Sequence, residues 1–197
     1  MITIVEDIIC NAEKRFVDWV KIYPPWVGIN HTTERNLTFQ FATAFLDLHP
    51  DGLAFMEVPF ATPHSTNNNK HLDAYLHAAD FDLLLECKNI YAPSHIKMIT
   101  SDIERMSTDL IDQIHARHKR KPIKPTRTHG VVFAETWYPH IEQWWCNDEY
   151  DGNKKTWKDE NLKRPAGWKY KSKKIYVHDI EPFETLYWLY GISENAL

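Results

Sequence analysis

Charged residues inside runs that otherwise seek a core need an explanation, because burying an unpaired charge is costly. Glu57 interrupts the apolar stretch Leu53 to Val58, and Asp73 sits within His71-Leu72-Asp73-Ala74-Tyr75-Leu76. Glu86 and Lys88 close the run Leu83-Leu84-Leu85-Glu86-Cys87-Lys88. On a strand, side chains alternate, so Glu86 and Lys88 face one way and Cys87 the other, as a core filler. A tight, even-numbered connection centred on Ala79-Asp80 opposes Tyr75 to Leu84 and Asp73 to Glu86. Opposed residues share a face with β-carbons about 5 Å apart. Two carboxylates so placed repel, a divalent cation between them removes the repulsion, and Lys88 offsets the rest. Glu34 joins by helical spacing, three before Leu37 and seven before Phe41. Each residue alone has an ordinary explanation: a first-turn acid favoured by the helix dipole, an exposed edge for Glu57, a surface pair for Lys88. Together they share one pocket.

These side chains need elements to carry them. Thr3-Ile4-Val5-Glu6 reads as a capping box opening a helix over 3–22, with Val5, Ile8, Ile9, Ala12, Phe16, Trp19 and Val20 on one stripe and Pro24-Pro25 beyond. A second helix is expected from Thr33 to Leu48, buried along Leu37, Phe41, Ala44, Phe45 and Leu48, with a turn at His49-Pro50-Asp51-Gly52. Strands follow over 53–61, 71–77 and 81–92, with an exposed loop over 62–70. Ser94 then caps a helix carrying Ile96, Ile99, Ile103, Met106, Leu110 and Ile114. A strand over 130–136, a Trp-rich segment over 137–145, a short strand near 175–177 and a helix from Pro182 to Tyr190 complete the reading. The order predicts an α/β fold with a mixed central sheet flanked by helices. One domain over 1–197 is expected, with a core over about 33–136 and a basic, aromatic extension over 137–197.

Asp73, a hairpin, then Glu86-Cys87-Lys88, all preceded by helical Glu34, resembles the PD-(D/E)xK nuclease superfamily. The resemblance covers about 33–136 and departs from the pattern at Leu72, where a proline ordinarily precedes the aspartate. It implies a restriction-endonuclease-like αβββαβ core and a Mg²⁺-dependent endodeoxyribonuclease, with Mn²⁺ able to substitute. Asp73, Glu86 and the carbonyl of Cys87 would hold the metal, which makes a bound water more acidic and screens the attacked phosphate. Lys88 would orient the water or stabilise charge on phosphate. As a strand-end residue it should need little packing. Glu34, with Glu57 as a further candidate ligand, would act through water on the metal or on a second ion. The competing reading is a non-catalytic nucleic-acid-binding or assembly protein that keeps the fold.

Net charge is −4, but it is unevenly spread. Arg117, Lys119, Arg120, Lys121, Lys124 and Arg127 form a run without an acid, and nine basic residues lie between Lys154 and Lys174. Such polarity suits an anionic polymer or a membrane face, and the nuclease resemblance implies DNA in preference to RNA. Within the second stretch, Lys169, Lys171, Lys173 and Trp168 suit phosphate contact with stacking, and equally a solvated loop whose tryptophans pack on the core. Cutting both strands of DNA would favour a homodimer.

Other classes are disfavoured. With 6 glycines and no GxGxxG or GxxxxGK, phosphate-cradling loops are not expected. The 3 cysteines are far apart, without metal-ligand spacing. Among the scattered histidines, His115 and His118 lie in the basic run. No apolar run has the length of a membrane span, and the first residues lack a basic n-region, so a cytoplasmic protein without membrane partners is expected.

Overall fold

A computed structural model of the chain describes residues 1–22, 33–60, 70–106, 110, 127–147, 164–176, 185–194 and 197. In chain order the elements are α1 (Ile2–Ile22), α2 (Glu34–Leu48), β1 (Leu53–Phe60), β2 (Lys70–His77), β3 (Phe81–Asn89), α3 (Pro93–Arg105) and β4 (Arg127–Thr136). Then come α4 (Pro139–Asn147), β5 (Trp168–Tyr176) and β6 (Thr185–Ser193). The strands form one sheet of order β1-β2-β3-β4-β6-β5. Only β3 and β4 run parallel, and α3 lies in the connection between them, as a parallel crossover requires. The result is a mixed α/β fold.

Helices cover both faces of the sheet. On one face Ile8 and Phe16 of α1 and Phe41 and Phe45 of α2 pack with Cys87, Phe133 and Trp188. On the other, Ile96, Ile99 and Ile103 of α3 and Trp144 and Trp145 of α4 pack with Leu84, Val132 and Leu189. Between two such layers β3 is buried at every position, which is why it reads as a nearly continuous apolar run. Its acids and lysine are therefore charges in a covered strand.

The hairpin has the expected register, with Tyr75 opposite Leu84 and Ala74 opposite Leu85. Beyond Ala74 the β2–β3 ladder stops, so the next facing positions are Asp73 and Glu86. On the other side of β2, the β1 ladder skips one pair between Met56↔Ala74 and Val58↔Leu72. Glu57, in the left-handed region at φ 52°, occupies that gap. At Asp73, β2 thus lacks registered pairing to both neighbours.

Several local expectations are corrected. α1 starts one residue early, with Ile4 and Val5 amides donating to the Met1 carbonyl, so Thr3 is inside the helix and does not cap it. Thr33, expected as the first residue of the second helix, is its N-cap, and Leu48, expected on the buried stripe, is exposed at the helix end. β3 ends at Asn89, and Ala92, not Ser94, is the residue before α3, since Pro93 supplies a first-turn position that needs no amide. The Trp-rich segment folds as α4. The expected helix from Pro182 is strand β6 from Thr185 onward: its run of aromatic and branched residues is buried between two strands, a pattern without a period to separate it from a helix. The 175–177 strand extends back to Trp168, so the lysine-rich stretch lies partly in β5. Of the loop expected over 62–70, Lys70 is the first residue of β2 and the rest, like the helix end at Ile114, lies outside the described residues. Among the described residues no helix is long and apolar enough to cross a membrane.

Candidate active site

Asp73, Glu86 and Lys88 line one cleft of about 510 Å³, whose other wall is α3 through Lys97, Ser101, Asp102 and Arg105. The even connection between β2 and β3 puts both carboxylates on the face that α3 covers. Asp73 does more than face Glu86. Its Oδ2 accepts a hydrogen bond from the Cys87 amide at 2.7 Å, tying β2 to β3 just past the end of their ladder. The Cys87 thiol points into the opposite core, as its place in the alternation requires.

Lys88 is only 8% exposed, against the expectation that it needs little packing. Its Nζ lies 3.3 Å from Asp102 Oδ2, 3.5 Å from Glu34 Oε2 and 4.0 Å from Glu86 Oε2, and donates to the Cys87 carbonyl at 3.1 Å. Strand β3 continues past it to Asn89 and both faces are covered, so the ammonium is enclosed among carboxylates. Glu34 arrives from the first turn of α2 and its Oε1 also meets the Asn89 amide at 3.4 Å. Its side chain is part-exposed and, against the expectation of a shared pocket, it reaches Lys88 without lining the cleft.

Two residues of this cluster escaped the sequence reading. Arg105 Nη2 donates to Glu86 Oε1 at 2.8 Å and pairs with Asp102 one turn back on α3. A signal existed for Asp102: it stands three after Ile99 and four before Met106, on the buried stripe of α3. The logic that located Glu34 applies there equally. His71, on the face of Asp73, also lines the cleft, with Nδ1 3.1 Å from the Glu57 carbonyl. The carboxylate of Glu57 is turned to Arg35, at 3.3 Å, and does not border the cleft.

Electrostatics follow from this crowding. Burial pushes Glu86 from its ordinary 4.5 up to about 8; Asp102 and Asp73 add to the rise, and Lys88 and Arg105 oppose it. Burial also raises Asp73, while the Cys87 amide, Lys88 and a hydrogen bond from Glu86 pull it back. Burial alone would lower Lys88, but Asp102, Glu34, Glu86 and Asp73 together hold its ammonium above the ordinary lysine range. Two cations, Lys88 and Arg105, face four acids.

Among the described residues, no three or more His, Cys, Asp or Glu side chains are grouped so as to hold a metal ion. The ammonium meets Glu34, Glu86 and Asp102, and the guanidinium meets Glu86 and Asp102. Mg²⁺ does not require a third side chain, since it keeps several waters and takes one or two carboxylates. The excess of acid over base, with Asp73 and Glu86 adjacent and both pushed up, fits the donor set for such an ion.

The described members of the expected nucleic-acid set do not line the cleft. Lys171 pairs with Glu6 at 2.5 Å and Lys173 with Glu13 at 2.8 Å, so this face of β5 meets α1. That is the sheet face opposite the cleft, and β5 stands three strands from β3, roughly 14 Å away. Lys169 is exposed on the same strand, and Arg127 is exposed at the start of β4. Trp168 packs over Gly130, where an added Cβ would meet its ring at 2.6 Å. Its ring is a packing element. Arg117, Lys119, Arg120, Lys121 and Lys124 lie outside the described residues. No protein-family model, no curated protein and no solved structure matches the chain.

Proposed function

We propose that the protein is a metal-dependent nuclease that hydrolyses phosphodiester bonds of DNA, with the cleft between α3 and the β2–β3 hairpin as its active site. The observation that carries the reading is the meeting of Asp73, Glu86 and Lys88 in one cleft, on adjacent antiparallel strands. The element order α2-β1-β2-β3-α3-β4, with β3 parallel to β4, supports a restriction-endonuclease-like core.

Asp73, Glu86 and the Cys87 carbonyl would hold Mg²⁺, which when bound makes a water more acidic and screens phosphate charge. Glu86 must give up its proton to serve as a ligand, and its ion pair with Arg105 keeps its carboxylate on the cleft side. Lys88, held charged by four acids, supplies a fixed positive group for charge building on the phosphate oxygens. Glu34 is a positioning residue: it acts on the reaction through the Lys88 ammonium.

A second reading has its own support. Lys88 on the Cys87 carbonyl and Arg105 on Glu86 partly neutralise the site by themselves, as a non-catalytic nucleic-acid-binding protein of this fold would require. The deciding experiment is incubation with supercoiled, linear and branched DNA, with Mg²⁺, Mn²⁺ or chelator. Cleavage that needs the divalent ion and disappears in Asp73→Asn is expected. Absence of cleavage with every DNA and either ion, together with no Mn²⁺ binding, overturns the nuclease reading.

A further inference from the structure

The two walls of the cleft differ in kind. The strand wall is acidic, whereas the helix wall carries Lys97, Ser101 and Arg105 at intervals of four residues. Residues so spaced lie one above another on a helix, about 6 Å apart along its axis, so the three span roughly 12 Å. The row is graded. Lys97 and Ser101 are exposed, and Arg105 at the inner end is half-buried with its guanidinium on Glu86. Asp102, the acid that also borders this wall, is already met by Lys88 and Arg105. Met98 lies half-exposed beside Lys97 and offers an adaptable apolar surface.

A file of ammonium, hydroxyl and guanidinium donors leading inward suits several phosphates in series better than one. At about 3.4 Å of rise per nucleotide along a duplex axis, ~12 Å parallel to that axis spans three or four nucleotides of one strand. We propose that the Lys97–Ser101–Arg105 face of α3 is a phosphate track that guides one nucleic-acid strand into the cleft. The proposal rests on the nuclease reading for what the polyanion is. It places the nucleic-acid surface on the wall of the site itself, whereas Lys171 and Lys173 of β5 pair with Glu6 and Glu13 of α1.

The test is binding of a short fluorescein-labelled single strand and its duplex, in Ca²⁺ to limit turnover, across a series of salt concentrations. Lys97→Gln and Lys97→Gln/Ser101→Ala are chosen because both positions are exposed, so folding is spared. Lys171→Gln serves as the control. Every phosphate that is no longer neutralised should lower the slope of log affinity against log salt by about 0.9 for duplex and about 0.7 for single strand. Lys97→Gln should show that drop, and Lys171→Gln should keep the wild-type slope. A wild-type slope in both Lys97 variants, or a wild-type protein that binds neither oligonucleotide, overturns the track. Cleavage of the same oligonucleotides in Mg²⁺ keeps the two ideas apart. Intact cleavage with an unchanged slope in the variants removes the track and leaves the nuclease. A Lys97-dependent slope in a wild-type protein that never cleaves leaves the track and removes the nuclease.

Discussion

Lysines meet glutamates at two places in this sheet, with opposite consequences. On β5, Lys171 and Lys173 each take one glutamate from α1, at the protein surface, and the charges balance. On β3, the buried Lys88 faces Glu34, Glu86 and Asp102 at once, with Asp73 beside them and Arg105 as the second cation. Balanced pairs in water contribute little to stability and ask for nothing further. A buried cluster with more acid than base is costly unless an acid keeps its proton or another cation joins it. The difference sets the crowded, acid-rich β2–β3 end apart from the β5 end, where paired charges join the strand to α1.

The largest expected effect comes from removing a candidate ligand. In Asp73→Asn the hydrogen bond from the Cys87 amide can persist, while one acid disappears. Cleavage should fall about a thousandfold or more, since metal assistance is worth several kcal/mol and each ~1.4 kcal/mol is tenfold. The metal-free variant should melt no lower than wild type, because like-charge repulsion has been relieved. A variant that loses fold and activity together would make Asp73 a structural residue. Next in size is Lys88→Met. Withdrawing a cation from a buried cluster costs about 3–5 kcal/mol, and the melting temperature should fall accordingly. A melting temperature within a degree or two of wild type would show that water reaches these acids.

The pH dependence sharpens the same contrast. Burial raises Glu86 in the fold to about 8 from 4.5, so the folded state binds the proton more tightly than the unfolded chain. This stabilisation is complete below about 4.5 and is lost as pH rises through about 8, at up to ~1.4 kcal/mol per pH unit. Asp73 is raised too and shifts in the same sense. Metal affinity should run the other way, rising up to tenfold per unit and levelling above about 8, as the ligand deprotonates. Mn²⁺ titrations at several pH values read this directly. A pH-independent affinity in wild type, or the same profile in Glu86→Gln, would remove Glu86 from the site.

Much of the site is legible in the sequence because its residues break a pattern that the neighbouring residues set. Acids in the apolar runs of β2 and β3, with an even connection, leave one register that pairs Asp73 with Glu86. Glu34 is legible from its place on the α2 stripe. Asp102 obeys the same rule on α3, but its role appears only when the crossover helix is laid over β3, a tertiary fact. Lys88 is misjudged for that reason, since half of its enclosure comes from residues on other elements. β6 resists reading because a strand buried on both faces shows no alternation, and TLYWLYGIS has none. On β5 the signal is present: Lys169, Lys171 and Lys173 alternate with Trp168, Tyr170 and Ser172, a period of two on an edge strand.

That edge supplies the smallest predicted effect and the cleanest counterpart to the cleft. Glu6 and Glu13 lie seven apart on α1, two turns along one face, and reach lysines two apart on β5. Exposed pairs of this kind are worth ~0.2–1 kcal/mol, so a double-mutant cycle with Glu6→Gln and Lys171→Gln should give a coupling in that range. The coupling should shrink as salt shortens the screening length from ~10 Å at 0.1 M to ~3 Å at 1 M. Lys88, enclosed by protein, should show no comparable fading over the same range when its own cycle with Glu34→Gln is measured. Lysines along an edge strand also discourage pairing with a second sheet, so Lys171→Val/Lys173→Val should promote association of the chain even where its stability is unchanged. Sedimentation of that variant measures it. A coupling near 3 kcal/mol at Lys171 that survives high salt would erase the distinction between the two ends and make the α1–β5 interface a buried element of the fold.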